Sequence, residues 1–136
     1  MKFLKFGKRK LEKFIINIDE LTYFYESPTI HILPGNERSY KYKARLLFDS
    51  STSIETNISF DEIKDTILLN SHKFIPFTYR TSGSDKEITV YINVDKIKKV
   101  VVSGIVTNIY VDRKTKVPVN DTLEDVYEKL DSYFQF

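Results

Sequence analysis

Over most of the chain, apolar residues either alternate with polar ones or gather in short β-branched and aromatic runs. A period of two is typical of strands that are buried on one side. Pro76 lacks the amide that a central strand needs, so its strand is expected at a sheet edge or in a first-strand position. Pro34-Gly35 predicts a turn, and Ser103-Gly104 predicts a two-residue hairpin loop. The predicted strands cover residues 14–18, 21–25, 29–33, 40–48, 74–80, 88–92, 99–102 and 105–111.

Two further segments have the start signals and the spacing of amphipathic helices. Ser59-Phe-Asp-Glu62 fits a capping box, in which the serine hydroxyl and the glutamate carboxylate accept hydrogen bonds from unpartnered backbone amides. Thr122 begins the second helix. The first turn of this helix is acidic, and its carboxylates interact favourably with the positive end of the helix dipole. The apolar stripe through Val126 and Leu130 is interpreted as a core-facing surface rather than as a cofactor site.

These elements predict an α+β fold, built mainly from an antiparallel twisted sheet or a small, partly closed barrel with two short amphipathic helices. Residues 1–13 are interpreted as a basic N-terminal arm and residues 14–136 as a single domain. Similar blocks in the two parts of the chain indicate an internal repeat, with half-repeats at residues 14–70 and 88–136. The predicted core consists of Ile16, Ile18, Ile30, Ile32, Leu46, Ile63, Ile67, Val90, Ile92, Val101, Ile109, Val126 and Leu130.

Composition narrows the class of protein. A chain of 136 residues suits one compact domain, and the absence of Cys excludes a disulfide scaffold, a Cys-ligated zinc module and a thiol nucleophile. No apolar run has the length of a signal sequence or a membrane span, so a cytoplasmic location is expected. The preference for Phe, Tyr, Ile, Asn and Lys is typical of a low-GC genome, such as that of a Gram-positive bacterium or one of its mobile elements.

Residues suited to catalysis are few. The two histidines, His31 and His72, lie far apart and are interpreted as solvent-facing strand and loop residues. No nucleophile elbow, phosphate-binding loop, dinucleotide fingerprint or His-Glu-x-x-His helix occurs in the sequence. The chain is therefore expected not to be an enzyme and to hold no cofactor and no metal. A hydrolase that uses two carboxylates is the minor alternative, and it would require a concave pocket around them.

Basic residues cluster in several places, although the net charge of the whole chain is only +2. In the arm, six basic side chains oppose one acidic residue, Glu12, which suits electrostatic attachment to phosphate or to anionic lipid. On a strand, Lys41, Lys43 and Arg45 would project to one face and the neighbouring tyrosines to the other. Basic heads bind phosphate, and tyrosine rings stack on unpaired bases.

Two more basic clusters lie near the C-terminal hairpin, one at residues 113–116 and one formed by Lys96, Lys98 and Lys99. If the clusters converge in the fold, they would neutralise several phosphates. Each cluster is otherwise explained as a solvated face of an antiparallel sheet. The candidate nucleic-acid-binding residues are Lys8, Arg9, Lys10, Arg38, Lys41, Lys43, Arg45, Arg113, Lys114 and Lys116.

The first functional hypothesis is a non-enzymatic regulator of gene expression that binds DNA or RNA through these basic residues. The alternative is a protein-interaction module, such as a phage or plasmid accessory or inhibitor protein, that uses exposed aromatic residues and an edge strand at residues 74–80. A homodimer is compatible with either hypothesis, because edge strands and abundant aromatic residues invite self-pairing, but the sequence does not decide the oligomeric state.

The C-terminal half resembles a unit found in small FlbD-type flagellar proteins. The shared features are the turn Asn93-Val-Asp-Lys-Ile97, the hairpin at Ser103-Gly104 and the capped terminal helix at residues 122–134. This resemblance implies a strand, a turn, a hairpin and a helix in that order.

The whole chain also resembles the ComK competence transcription factors. Four features carry the resemblance: residues 29–34, Ser71-His-Lys73 followed by Ile75-Pro76, Tyr91-Ile-Asn93, and the terminal hairpin and helix. The resemblance implies a sequence-specific DNA-binding activator. The chain has no equivalent of the Gly-Ser-Ser-Tyr-x-Gly-Arg segment of that family. In size, the chain is also similar to plasmid-borne regulators of the PrgU type, which have a PUA-like β fold.

Overall fold

A computed structural model of the protein describes residues 2–7, 12–27, 30–32, 38–40, 43–49, 52–80 and 87–134. The strands before the first helix are β1 (Phe3–Phe6), β2 (Phe14–Asn17), β3 (Tyr23–Glu26), β4 (Ile30–Ile32), β5 (Arg38–Tyr40), β6 (Ala44–Leu47) and β7 (Ser53–Thr56). The later strands are β8 (Phe74–Tyr79), β9 (Ile88–Asn93), β10 (Lys99–Ser103), β11 (Val106–Tyr110) and β12 (Lys116–Val119). The helices are α1 (Phe60–Asn70) and α2 (Leu123–Tyr133), and short 3₁₀ helices span Ile18–Glu20 and Val94–Lys96.

Eight strands form one antiparallel sheet in the order β10-β11-β12-β8-β9-β3-β6-β7. The pairs β1-β2 and β4-β5 form two separate hairpins. This topology confirms the α+β class and the mainly antiparallel sheet. Because the end strands β10 and β7 do not pair with each other, the sheet is open, and the partly closed barrel is not formed.

The sheet carries a hydrophobic core on each face. Phe24 and Leu46 are fully buried on the face that α1 covers, where they share a cluster with Ile63. Ile109 is fully buried on the opposite face, in the cluster that includes Val126 of α2. The two helices therefore lie on opposite sides of one sheet, and each contributes the apolar stripe that its helical spacing predicts.

Both helices begin at the predicted capping residues. The Ser59 hydroxyl accepts a hydrogen bond from the Glu62 amide over 3.1 Å. At α2, the Thr122 hydroxyl accepts from the Asp125 amide over 3.1 Å, and the Asp125 carboxylate accepts from the Thr122 amide over 3.3 Å. Such caps satisfy amides that lack intrahelical partners and contribute about 0.5–2 kcal/mol each.

Most of the predicted core is confirmed, and one residue of it is wrong. Val101 is 39% exposed because it lies on the face of β10 that is turned away from α2. Ile30 and Ile32 lie in β4, whose side chains are outside the described part of the structure. Leu130 is partly buried against the core. The fully confirmed residues are Ile16, Ile18, Leu46, Ile63, Ile67, Val90, Ile92, Ile109 and Val126.

The strand that contains Pro76 is not at the edge of the sheet, since β8 lies between β9 and β12. Its bridge to β12 consists of one residue pair, Tyr79 with Val119. Pro76 therefore lies where β8 has no described strand on that side, which explains why a residue without an amide is tolerated there. The Lys129 ammonium donates to the carbonyl of Pro76 over 2.8 Å.

The same order of elements occurs twice, from β1 to α1 and from β8 to α2, with the β4-β5 hairpin as an insertion in the first part. Single hydrogen bonds also match. The Ile18 amide donates to the Lys2 carbonyl over 2.8 Å, and the Val94 amide donates to the Lys73 carbonyl over 2.8 Å. The half-repeats at residues 14–70 and 88–136 stay a prediction, and the matching elements begin before those ranges, at β1 and β8.

Part of the N-terminal arm is ordered as a strand. β1 pairs with β2 from Phe3 opposite Asn17 to Phe6 opposite Phe14. Leu4 and Phe6 are buried in the core beside α1. The arm therefore contributes to the packing of residues 14–136, and its apolar residues alternate with exposed ones as in the other strands.

Candidate nucleic-acid interface

Four of the predicted binding residues, Lys8, Arg9, Lys10 and Lys41, lie outside the described residues. Arg38 is the first residue of β5, and its side chain is outside the described part of the structure as well. The predicted residues that the structure positions are Lys43, Arg45, Arg113, Lys114 and Lys116.

Arg45 is half-buried on β6, where its guanidinium contacts groups of the neighbouring strands. Its Nη1 donates to the Tyr25 hydroxyl over 3.2 Å. Its Nε lies 3.6 Å from Oε1 of Glu55 on β7. Tyr25 and Glu55 are the residues directly opposite Arg45 on β3 and β7. The positive charge of Arg45 is therefore balanced within the sheet.

Lys43 is exposed beside the start of α1. It lines a shallow cleft together with two carboxylate residues, Glu26 and Asp61. Because carboxylates lower the local positive potential, this cleft is a poor place for a phosphate.

A different arrangement is found on the outer face of β10, β11 and β12. Tyr110 of β11 lies directly opposite Lys99 of β10 on one side and Lys116 of β12 on the other. Paired residues of neighbouring strands project to the same face. The Lys99 ammonium lies 4.8 Å from the centre of the Tyr110 ring. Given the usual strand spacing, the Cα atoms of the two lysines are about 10 Å apart.

The turn between β11 and β12 adds two more cations, Arg113 and Lys114, which are both exposed. Asp112 holds this turn, because its Oδ1 accepts from the Lys114 amide over 2.7 Å and from the Thr115 amide over 2.6 Å. These backbone hydrogen bonds lower the pKa of the Asp112 carboxyl below its usual value. The carboxylate is therefore used to fix the turn.

We call Lys98, Lys99, Arg113, Lys114 and Lys116 the basic patch. Lys98 directly precedes β10, and its amide donates to the Tyr110 carbonyl over 2.7 Å. Within the described part of the chain, no carboxylate lies in ion-pair contact with any of the five side chains. The strand register thus brings Lys99 of one cluster and Lys116 of the other to either side of Tyr110 on one face of the sheet.

Several other described lysines differ, since nearby carboxylates balance their charges. The Nζ of Lys73 lies 2.7 Å from Oδ2 of Asp95. Lys96, which is close to the basic patch in sequence, pairs with Glu20 at 3.7 Å. Ion pairs of this kind reduce the attraction that a lysine exerts on a phosphate.

Arg45, from the predicted basic face of Lys41, Lys43 and Arg45, does not share a surface with Lys99 and Lys116 of the basic patch. Arg45 pairs with Tyr25, and Tyr25 pairs with Val90, so these three side chains share one face of the sheet. Across β8, the same face continues to Val119 and from there to Thr107. Thr107 and Tyr110 occupy opposite faces of β11, because their positions differ by an odd number. Arg45 therefore lies on the opposite face of the sheet from Lys99 and Lys116.

A tyrosine cluster surrounds Arg45 and lies mostly inside the protein. The ring of Tyr25 stacks on that of Tyr23 at 6.2 Å and meets that of Tyr79 edge-on at 4.8 Å. Burial raises the pKa of Tyr23 to about 12 and also raises the pKa of Tyr79. These rings are covered by the core, so they do not provide a surface on which a base can stack.

The described residues contain no group of three or more His, Asp or Glu side chains arranged to hold a metal ion. His72 is exposed, and the side chain of His31 is outside the described part. Neither helix in the described part of the chain has the length and apolarity needed to cross a bilayer.

Lys98, Lys99 and Tyr110 were not among the predicted binding residues. The signal that could reveal them is the register of the β10-β11 hairpin, because only the register shows that Lys99, Tyr110 and Lys116 are neighbours. Comparisons of the chain with protein-family models, curated proteins and solved structures gave no match. The resemblances to the ComK, FlbD and PrgU types thus rest on the sequence features alone.

Proposed function

We propose that the protein is a non-enzymatic, nucleic-acid-binding regulator that contacts phosphates through the basic patch. The observation that carries the proposal is the position of Lys99 and Lys116 on either side of Tyr110, with exposed Lys98, Arg113 and Lys114 on the adjoining segments and no ion-pair partner for any of the five within the described part of the chain. The proposed setting is the cytoplasm of a low-GC bacterium, where DNA and RNA are the abundant polyanions.

Binding of this kind gains free energy from the release of counterions. Five phosphate contacts give a log–log salt slope of about −4.5 on duplex DNA and about −3.5 on a single strand. The patch has cations on two strands, on the turn between β11 and β12 and just before β10, so it tracks a phosphate backbone rather than enclosing one phosphate. The half-buried ring of Tyr110 holds Lys99 in position by a cation–π contact.

The test compares two variants with the same change in net charge. Lys99→Gln/Lys116→Gln removes two cations of the patch, whereas Lys73→Gln/Lys96→Gln removes two lysines that are paired with carboxylates. Fluorescence anisotropy with short labelled duplex DNA and single-stranded RNA measures the dissociation constant of each. The proposal predicts that the patch variant loses about tenfold or more in affinity for at least one probe, because each charge-assisted contact contributes about 1 kcal/mol or more. Equal affinities for the two variants would contradict it.

A protein-interaction module is the second candidate, and exposed apolar residues on α2 favour it. Leu123, Tyr127 and Phe134 are 43%, 68% and 72% exposed, although they continue the apolar stripe of the helix. Binding to a specific protein that survives high salt and is lost in Leu123→Ser/Tyr127→Ser, with no binding of either nucleic acid, would support this candidate over the first.

A further inference from the structure

Among the strands that have an outer edge with no described strand beside it are β2 and β10, whereas β7 ends the large sheet on the other side. β2 pairs with β1 on one side, and β10 pairs with β11 on one side and ends the eight-stranded sheet. Apolar residues near these edges are exposed: Ile15 at 63%, Val101 at 39% and Val102 at 46%. An edge of this kind presents backbone amides and carbonyls that can pair with another strand.

The two parts of the chain are joined by the strand pair β3-β9, with Tyr23 opposite Ile92 and Tyr25 opposite Val90. Asn93 completes the joint, because its amide donates to the Thr22 carbonyl over 2.8 Å and its Nδ2 donates to the Leu21 carbonyl over 2.9 Å. Tyr23, Tyr25, Val90, Ile92 and Asn93 at this joint are 0–7% exposed.

The free edges belong to the counterparts of the joined strands. β10 has the same place in the second part as β3 has in the first, since each follows a 3₁₀ helix and pairs with a later strand of its own part, β10 with β11 and β3 with β6 beyond the inserted β4-β5 hairpin. β2 likewise corresponds to β9, because Asn17 and Asn93 accept the amide two residues later in the same way. The chain thus uses one such joint and leaves the matching pair of edges, β10 and β2, apart.

We propose that a second copy of the chain completes this joint: β2 of one copy pairs antiparallel with β10 of the other. The register of the in-chain joint then places Val100 opposite Ile15, Lys99 opposite Ile16 and Val101 opposite Phe14. A second copy fits better than an unrelated strand because each chain carries both edges, so a reciprocal exchange covers all of them in a closed, symmetric dimer. The new strand pairs are continuous with the existing sheet through β10.

Charge makes this association distinct from nucleic-acid binding. The pairing brings together two copies that each carry a net charge of +2, with exposed Lys13 beside β2 and Lys99 on β10, and like charges repel. Salt screens this repulsion and strengthens apolar contacts. Dimerisation is therefore expected to increase with salt, whereas binding to nucleic acid decreases, so the two proposals can fail independently.

The chain has no cysteine, which permits a direct test of the register. Ile15→Cys and Val100→Cys are made in separate chains, one of which carries a mass tag, and the two are mixed under mild oxidation. Antiparallel neighbours have Cα atoms about 4.5–5.5 Å apart, within the range that a disulfide spans. Leu69→Cys replaces Ile15→Cys in the control, because Leu69 is also an exposed apolar residue, at 85%, but lies on α1.

The proposal predicts that the mixed disulfide forms about tenfold or more faster for the Ile15–Val100 pair than for the Leu69–Val100 pair, because pairing raises the effective concentration of the two thiols. Sedimentation of the unaltered protein provides a measurement that needs no variant, and it should show a dimer fraction that grows with salt. Equal cross-linking rates for the two pairs, or a monomer at both low and high salt, would each overturn the proposal.

Discussion

The Lys99 ammonium lies 4.8 Å above the Tyr110 ring, and the two residues are direct cross-strand neighbours on β10 and β11. Tyr110 is also opposite Lys116, so one aromatic ring separates two cations that have no described carboxylate partner. The ring holds Lys99 over the sheet and supplies a negative face that reduces the repulsion between the two lysines.

Tyr110→Ala should weaken nucleic-acid binding by about 2–5-fold, because an exposed cation–π contact of about 0.5–1 kcal/mol no longer positions Lys99. Tyr110→Phe keeps the ring and should bind as the unaltered protein does. Anisotropy titrations measure both, and thermal unfolding checks that the variants fold. An unchanged affinity in Tyr110→Ala would show that the ring has no part in binding.

Arg45→Gln and Lys116→Gln each remove one positive charge. The first should lower the stability of the fold, and the second should lower the affinity for nucleic acid. Arg45 bonds Tyr25 and lies near Glu55, so its replacement should lower the free energy of unfolding by about 1–3 kcal/mol and leave the affinity for nucleic acid within about twofold. Lys116 is exposed, so its replacement should weaken binding and leave stability within about 0.5 kcal/mol.

Denaturant unfolding and anisotropy, measured on both variants, separate these effects. A loss of affinity in Arg45→Gln at unchanged stability would place the binding surface on the face of the sheet that carries Arg45.

Asp112→Ala should lower the melting temperature at neutral pH, because the turn between β11 and β12 loses the acceptor for two amides. The fold lowers the pKa of this carboxyl, so its ionised form stabilises the native state. That contribution is fully present above the ordinary carboxyl pKa of about 3.9 and is lost as the pH falls through the lower native value.

The difference between Asp112→Ala and the unaltered protein should therefore narrow in acid. Asp112→Asn, which keeps an acceptor oxygen without the charge, should lie between the two at neutral pH. Melting curves over a pH series provide the measurement, and a difference that widens below the carboxyl pKa would contradict the role of Asp112.

Alkaline pH should unfold the protein through its tyrosine cluster. Burial raises the pKa of Tyr23 to about 12 and raises that of Tyr79 as well, so the native state favours the protonated rings. This stability is fully present below the unfolded tyrosine pKa of about 10 and is lost as the pH rises through the native values. Phenolate absorbance and circular dichroism, followed together, should show these rings ionising with the loss of structure.

Tyr79→Phe is the matched variant, because it removes one ionisable group and keeps the ring that meets Tyr25. Its unfolding should require a higher pH. If both tyrosines ionise while the fold stays intact, the cluster is more open to water than its burial indicates.

The helices and much of the core could be predicted from the sequence because their determinants are local. Ser59 and Thr122 provide hydroxyl acceptors at the helix starts, and Ile63 and Ile67 recur at helical spacing. The face that Val101 occupies could not be predicted in this way. It stands between Val100 and Val102, so the run has no alternation, and the side that α2 covers decides which valine is buried.

The candidate site depends on the strand register of the β10-β11 hairpin, and the register predicted from the sequence differs from the observed one by two residues. A loop at Ser103-Gly104 would place Lys99 opposite Asn108. In the structure Ser103 pairs with Val106, so the loop is Gly104 and the residue after it, and Lys99 meets Tyr110. Gly104 has a φ of +64°, which suits the first position of a two-residue hairpin loop. Contacts between separate strands, such as that of Arg45 with Glu55, have no local signal at all.

The slope of log Kd against log salt concentration tests the central claim most directly, because it counts the cations that contact phosphate. Measured on duplex DNA and on single-stranded RNA, the unaltered protein should give a slope of about 3.5–4.5 in magnitude on its preferred probe, and Lys99→Gln/Lys116→Gln should reduce it by about two. Lys73→Gln/Lys96→Gln should leave the slope unchanged. A slope near zero, or the same reduction in both double variants, would contradict binding through the basic patch.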